Sequence, residues 1–328
     1  MRVQWGIDKG IARPSCLALG VFDGVHLGHR KVIASAVRQA RSSGIVPAVL
    51  TFEPHPAVVV SPAAAPPLLT TTEEKLVLLR ELGVKLVVVA GFDRNLAKMP
   101  PEDFIAEMLV ARFRARCVVV GADWRFGSGG RGTAALLKQV APRRGCGVTI
   151  VPAVIAKGEP ISSTRIRKLL LRGKTEQANQ LLARPYSVQG RVVRGDGLGR
   201  KLGFPTANLQ LPSDKLIPAD GVYACWAGAL GTRYTSCPTG QGERSAKAWP
   251  AVAYIGTRPT IESGGTRRAE VHLLERRGPV GAPGASLRAQ LLSRLRRDRT
   301  FRSLAALVEQ MRADSTNARV VLSALQEA

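Results

Sequence analysis

Two histidines three residues apart, His26 and His29, lie inside GVFDGVHLGHRK (residues 20–31) of a chain that has only four histidines. An apolar run ends at Phe22, glycines at 20, 24 and 28 permit tight turns, and helix-period sequence begins near His29. Such a strand–Gly–helix turn gathers free backbone N–H groups and the positive end of a helix dipole at one point, which makes an anion site. The backbone of Gly20, Phe22, Asp23, Gly24 and Gly28 would line it, and His26 and His29 would add imidazole donors. Turns of this kind also occur as plain packing, so a second element has to speak for an anion. ISSTRIRKLL (161–170) does so: Ser162 or Ser163 would cap a helix, and Ser163, Thr164, Arg165 and Arg167 would crowd its start with hydroxyls and guanidinium groups. Two such helix starts suit a nucleoside triphosphate held by its phosphates. No GxxxxGK[ST] occurs, which excludes a P-loop nucleotide hydrolase.

A third segment, GDGLGRKLGFPTANL (195–209), opens with a glycine-rich flap in which Gly199 and Arg200 could approach phosphates closely. Thr206 and Asn208, two apart in an extended stretch, would point to the same side and could offer oxygens to Mg²⁺.

The elements that must hold these segments alternate through the first half. Apolar runs at Cys16–Phe22, Ile45–Phe52, Lys85–Ala90, Arg116–Val120 and Val148–Val154 predict strands, with helices over 31–41, 72–82 and 102–112 between them. That order predicts a parallel sheet covered on both faces, with ligands beyond the carboxyl ends of its strands. Near residue 184 the pattern changes to short, turn-punctuated runs: Ser187–Val193, Val222–Ala229, Ala251–Ile255 and Ala269–Leu274. These predict a small antiparallel sheet or barrel. A final helix follows, with Phe301, Leu304, Leu307, Val308 and Met311 on one stripe. The expected domains are therefore 1–183 and 184–328.

Composition narrows the class. The formal charge is +24, which raises nucleic acid or an anionic surface as a partner. However, the basic excess is shared evenly by the two halves. Its densest patch, Arg267–Arg299, has no aromatic residue on which a base could stack. Five cysteines without a CxxC argue against a disulfide framework or a zinc site and fit a reducing compartment. Apolar runs such as Leu86–Ala90 are too short to span a bilayer, and the first ten residues lack the apolar core of a signal peptide.

HxGH followed by a Ser/Thr/Arg loop resembles the nucleotidyltransferase signature. Taken with TFEPHP (51–56), GADWRFG (121–127), RPYSVQGRVVRGDGLGRKLGFPTANL (184–209), IGTRPT (255–260) and AEVHLLE (269–275), the chain is similar to the bacterial bifunctional riboflavin kinases/FAD synthetases. The resemblance implies a Rossmann-like α/β nucleotidyltransferase domain followed by a six-stranded antiparallel β-barrel flavokinase. It implies phosphorylation of riboflavin to FMN in the barrel and adenylylation of FMN to FAD, with release of pyrophosphate, in the α/β domain. It also implies roles. His26 and His29 would stabilise the adenylyl-transfer transition state, and Ser163, Thr164 and Arg167 would hold the β- and γ-phosphates. Phe52 and the Asp123–Phe126 region would form the nucleotide and flavin pocket. Thr206 and Asn208 would position Mg-ATP, and Glu270 would be the kinase base. The implied partners are riboflavin, FMN, FAD, ATP and pyrophosphate in the cytoplasm, with no nucleic acid and no membrane; a weak homo-oligomer stays open.

The departures from the family pattern fall mainly in the barrel. Tyr254 stands where Asn commonly precedes IG, the stretch from 276 to 287 has none of the usual acidic and LYG residues, and Pro238–Lys247 looks inserted. In the first half, Trp124 replaces a usual Phe. The competing expectation is therefore an FMN adenylyltransferase with weak or lost kinase activity. A nucleic-acid-binding nucleotidyltransferase relative stands further off.

Overall fold

The computed structural model describes residues 1–229, 248–257, 267–275 and 282–327. By contacts the chain divides into two compact units, Met1–Ser163 and Thr164–Ala328.

The first unit is built on six parallel strands: β1 (Arg2–Trp5), β2 (Ser15–Leu19), β3 (Val46–Glu53), β4 (Leu86–Gly91), β5 (Ala115–Gly121) and β6 (Gly147–Val151). Their spatial order is β1-β4-β3-β2-β5-β6. Parallel strands buried on both faces need nearly continuous apolar sequence, and β2 supplies it. Leu17 and Leu19 join the core on one face, while Cys16 and Ala18 join the core on the other. Helix α1 (Leu27–Ser42) covers the second face with Val32, Ile33, Ala36, Val37 and Ala40. Each large apolar side chain buried this way contributes roughly 1.5–3 kcal/mol. Helix α2 (Thr72–Glu81) begins with a capping box in which Thr71 Oγ1 accepts from Glu74 N–H and the Glu74 carboxylate accepts from Thr71 N–H.

Two expectations change here. The helix foreseen over 102–112 starts as one turn at Pro101–Asp103, then widens over Phe104–Arg112 to i→i+5 bonding, as in Phe113 N–H to Met108 O. A single disulfide also forms, Cys16–Cys117, linking register partners on β2 and β5. It is one cross-strand link and not a framework; Cys146 and Cys225 are free and buried, and Cys237 lies outside the described residues.

The second unit begins with helices α3 (Ser163–Leu171, whose first residue belongs to the first unit) and α4 (Thr175–Leu182). Helix α4 packs on the barrel: Asn179 Nδ2–H donates to Leu291 O at 2.8 Å, and Asn179 Oδ1 accepts from Tyr186 N–H at 2.7 Å. The barrel strands are β7 (Tyr186–Val193), β8 (Thr206–Gln210), β9 (Gly221–Ala229), β10 (Trp249–Thr257), β11 (Arg267–Leu273) and β12 (Ser286–Arg297). They close in the order β7-β8-β11-β10-β9-β12, with every pairing antiparallel. Inward positions such as Ala207, Leu209, Ala253, Ile255 and Val271 are buried. The closing helix α5 (Leu304–Glu327) lays Ala318 and Leu322 against Ala224 and Leu274. It is also tied by Asp314, which accepts from the Arg296 guanidinium at 2.9 Å. Among the described residues no helix is long and apolar enough to cross a membrane.

Candidate active sites

In the α/β unit, β3 and β4 follow β2 in one direction across the sheet, and β5 and β6 run in the other. The strand order therefore reverses between β2 and β5, and ligands of such sheets sit beyond the carboxyl ends of the strands at that point. GVFDGVHLGH follows β2 and GADWRFG follows β5, so both motifs flank the switch point.

The loop after β2 is held in an unusual shape. Phe22 and Val25 adopt positive φ (53° and 40°), as does Gly24 (82°). For non-glycine residues that conformation costs about 1–3 kcal/mol each and persists only where surrounding contacts over-determine it. Here they do. Val21 O accepts from Thr51 Oγ1–H at 2.9 Å and from the Lys75 ammonium at 3.3 Å. The Asp23 carboxylate accepts from the N–H groups of Leu69 and Thr70, both at 2.9 Å. Gly24 N–H donates to Thr70 Oγ1, and Ser163 Oγ–H donates to Asp23 O. The loop delivers His26 to the N-cap of α1, where Nδ1 accepts from His29 N–H at 3.4 Å. The two imidazoles stack at 3.6 Å between centroids, and Phe22 meets His29 edge-on. A Cβ on Gly28 would stand 3.1 Å from the His26 ring, so a bare backbone there keeps the stack in place.

The other α/β residues divide. Ser163 starts α3 beside the loop, Thr164 is exposed and Arg167 is buried. Phe52 is buried against Phe92, and Phe126 stacks on Trp124 at 4.5 Å, whereas Asp123 is exposed. A small cleft beside the loop after β2 is lined by Val21, Asp23, Phe52, Glu53, Thr70 and Lys75 among others. Sequence reasoning passed over Thr51, Glu53, Thr70 and Lys75, although TFEPHP and the capped TTEEK helix carry all but Thr70. Lys75 is buried, and burial pulls its ammonium below the ordinary lysine range while Asp23 and Glu53 oppose the shift.

In the barrel, Thr206 pairs with His272 across β8 and β11, Asn208 pairs with Glu270, and Tyr254 on β10 pairs with Glu270 from the other side. Their immediate neighbours point into the barrel, so these five polar residues share its outer face. Pro205 O accepts from His272 Nδ1–H at 2.9 Å, and Phe204 packs edge-on to the same ring. Tyr254 O–H donates to Asp298 at 3.1 Å; burial first, then Asp298, pushes its phenol up to about 12. The flap is seated closely, since a Cβ on Gly195 would stand 2.8 Å from Asn208 Cγ, and one on Gly199 3.1 Å from Thr206 Oγ1. Arg200 is exposed at the end of the flap's short helix, Leu198–Lys201. Asn208 Oδ1 is buried without a hydrogen-bond partner among the described residues. A buried carbonyl oxygen left in that state costs about 1–3 kcal/mol, and a hard cation brought in with phosphates suits it. The residues therefore fit Mg²⁺. The divergent stretches 238–247 and 276–281, and the RPT of IGTRPT, lie outside the described residues.

Comparisons agree with this division. The FAD synthetase family model matches residues 8–165 and the riboflavin kinase model matches residues 182–322. The chain is similar to the bifunctional riboflavin kinase/FMN adenylyltransferase of Escherichia coli K12, 36% identical over 92% of this chain and 91% of that protein. The Bacillus subtilis enzyme of the same description is 34% identical over 93% and 91%. A crystal structure described as a macrolide-efflux protein from Streptococcus pneumoniae superposes with a TM-score of 0.84 and 30% identity, covering 97% of this chain and 99% of that one.

Proposed function

The chain belongs to the bifunctional riboflavin kinase/FMN adenylyltransferase family, and from that premise we propose which of its residues perform the two reactions. It phosphorylates riboflavin to FMN with ATP, then adenylylates FMN to FAD with a second ATP. Both family modules are present, which favours this reading over an adenylyltransferase without its kinase. We assign the second reaction to residues 1–183 and the first to residues 184–328.

In adenylyl transfer an FMN phosphate oxygen attacks the α-phosphorus of ATP as the bond to pyrophosphate breaks. The attacking group is already anionic, so the protein has to align two phosphates and neutralise charge. The α1 start, with His26 and His29, meets the charge that develops, and the backbone of Gly20, Phe22, Gly24 and Gly28 lines the path. Asp23 serves by shaping the loop. Ser163, and with it Thr164 and Arg167, hold the β- and γ-phosphates. Phe52, Phe126 and Asp123 border the flavin and nucleotide.

In the barrel the ribityl 5′-hydroxyl attacks the γ-phosphorus, ADP leaves, and Glu270 takes the proton. Gly199 and Arg200 cover the phosphates. Thr206 and Asn208 hold Mg²⁺ with ATP, and the ion supplies charge neutralisation there. What carries the assignment is the convergence of each motif's polar groups at one place in its own unit: the His26–His29 stack at the switch point, and Asn208 opposite Glu270 on the barrel wall. The positive charge, spread over both halves, suits small anionic substrates in the cytoplasm better than a nucleic acid. Incubation with riboflavin or FMN plus Mg-ATP, followed by chromatography of the flavins, tests the assignment. FMN and then FAD should form from riboflavin, and FAD from FMN; FAD formation from FMN alone would return the barrel to the weak-kinase alternative.

A further inference from the structure

The adenylylation site depends on a loop that carries two non-glycine residues at positive φ, and the contacts holding it come from outside its own motif. Lys75 supplies a cation to that set. It stands on the first full turn of α2, is only 5% exposed, and spends its charge inside the unit. Its ammonium donates to Val21 O at 3.3 Å and to Thr51 Oγ1 at 3.2 Å, while Thr51 donates in turn to Val21 O. Val21 immediately precedes Phe22, the first residue forced to positive φ. Asp23, two residues on, is bound by Leu69 and Thr70, the residues leading into the same helix. The start of α2 thus grips the loop on both sides of Phe22. Burying a lysine here is costly, which the electrostatics reflect, and a neutral side chain of the same length would have filled the volume without that cost.

We propose that Lys75 is a positioning residue for adenylyl transfer, holding the Val21 carbonyl so that the Phe22–Val25 turn delivers His26 and His29 to the reacting phosphates. The proposal rests on the functional reading above, because it acts through the histidines. Its ammonium does not touch the nucleotide in this account. Loss of the ammonium leaves Val21 O to the Thr51 hydroxyl and relaxes the turn, and His29 leaves its place by a fraction of an ångström. Misplacement near 1 Å can cost on the order of 100-fold in rate.

The test is steady-state FMN adenylylation by the full-length protein carrying Lys75→Met, Lys75→Arg, His29→Ala or the Lys75→Met/His29→Ala pair, with riboflavin phosphorylation and thermal unfolding measured on each. Lys75→Met should lower kcat by about 10- to 100-fold with KM for ATP changed less than about threefold, and Lys75→Arg should recover part of the loss. The pair should be no slower than His29→Ala alone within about threefold, because both substitutions remove one shared contribution. Riboflavin phosphorylation should hold at the wild-type rate. Where Lys75→Met fails to fold, Thr51→Val, which removes the second donor to Val21 O at constant volume, should show the same coupling with a smaller loss. Wild-type kcat in Lys75→Met or Thr51→Val, or losses that multiply with that of His29→Ala, would overturn the proposal while leaving the histidine assignment intact. Wild-type kcat in His29→Ala would overturn both.

Discussion

The two candidate sites solve the placement of polar groups in opposite ways. In the barrel, Thr206, Asn208, Glu270, His272 and Tyr254 occupy ordinary strand positions, and the antiparallel register alone brings them to one outer face. In the α/β unit, His26 and His29 depend on a short turn through Phe22, Gly24 and Val25 that the backbone resists, held by residues 30 to 140 positions away in sequence. A regular ladder needs only alternation to put a carboxylate opposite an amide. A strained turn needs a template, and here the template is the start of α2 together with Thr51 and Ser163. The barrel site should therefore fail through loss of its own groups, and the α/β site through loss of its supports as well.

Removing Glu270 should have the largest effect. Glu270→Gln keeps the shape of the strand pair and deletes the proton acceptor, so FMN formation from riboflavin should fall by about 10²- to 10⁴-fold. FAD formation from supplied FMN should stay at the wild-type rate. Phosphorylation that persists unchanged would remove Glu270 as the base.

Next in size, His29→Ala should lower FAD formation from FMN by about 10²- to 10³-fold, the usual cost of one donor aimed at developing charge, with FMN formation intact. If both activities fell together, the two regions would not be the independent machines their separate geometries imply. A third, smaller effect comes from Gly195→Ala. The added methyl would press on the Asn208 amide, and kinase turnover should drop by about 10- to 100-fold while adenylylation holds. Undiminished kinase turnover would mean that the flap does not close on Asn208 during the reaction.

The contrast also explains what was legible in the sequence. Thr206 and Asn208 could be placed on one face from their spacing alone, because a strand has a fixed period of two. The strands around Leu17, Val49 and Val119 were legible because parallel strands covered on both faces are apolar throughout. The strand Ser286–Arg297 was not. Its outward arginines made the segment look like a solvated basic patch, and only the inward Leu287, Ala289 and Leu291 mark it as a barrel wall. The helix start at Leu27 was also hidden: the expected start lay near His29, because histidine is not a usual N-cap and only the structure shows Nδ1 accepting from the backbone. Lys75 was read only as part of the helix over 72–82, since nothing local says that a lysine is buried. That information lies in the pairing of β2 with β3, which brings Thr51 and Val21 to the same place.

The smallest expected effect is on stability in alkali, and its sign differs between the regions. Lys75 has a folded-state pKa below the ordinary 10.5 because burial penalises its charge. Between that pKa and the unfolded value the unfolded chain binds more protons, so this group's contribution makes stability rise with pH. Tyr254 and Tyr223 in the barrel unit have phenols pushed up to about 12, both chiefly by burial. Between the ordinary value near 10 and about 12 the folded barrel binds more protons than the unfolded chain. The stability contributed by these phenols is whole below pH 10 and is lost as pH climbs through 12. Thermal unfolding followed from pH 8 to 12 should therefore show a barrel transition that falls above pH 10. Tyr254→Phe should flatten that fall without removing it, because Tyr223 remains, whereas Lys75→Met should leave it untouched and instead remove a rise from the α/β transition below pH 10.5. A Tyr254→Phe protein with the wild-type slope would assign the alkaline loss to Tyr223, whose hydroxyl donates to Ala219 O within the barrel unit. The outer face around Glu270 would then be no more sensitive to alkali than the rest of the wall.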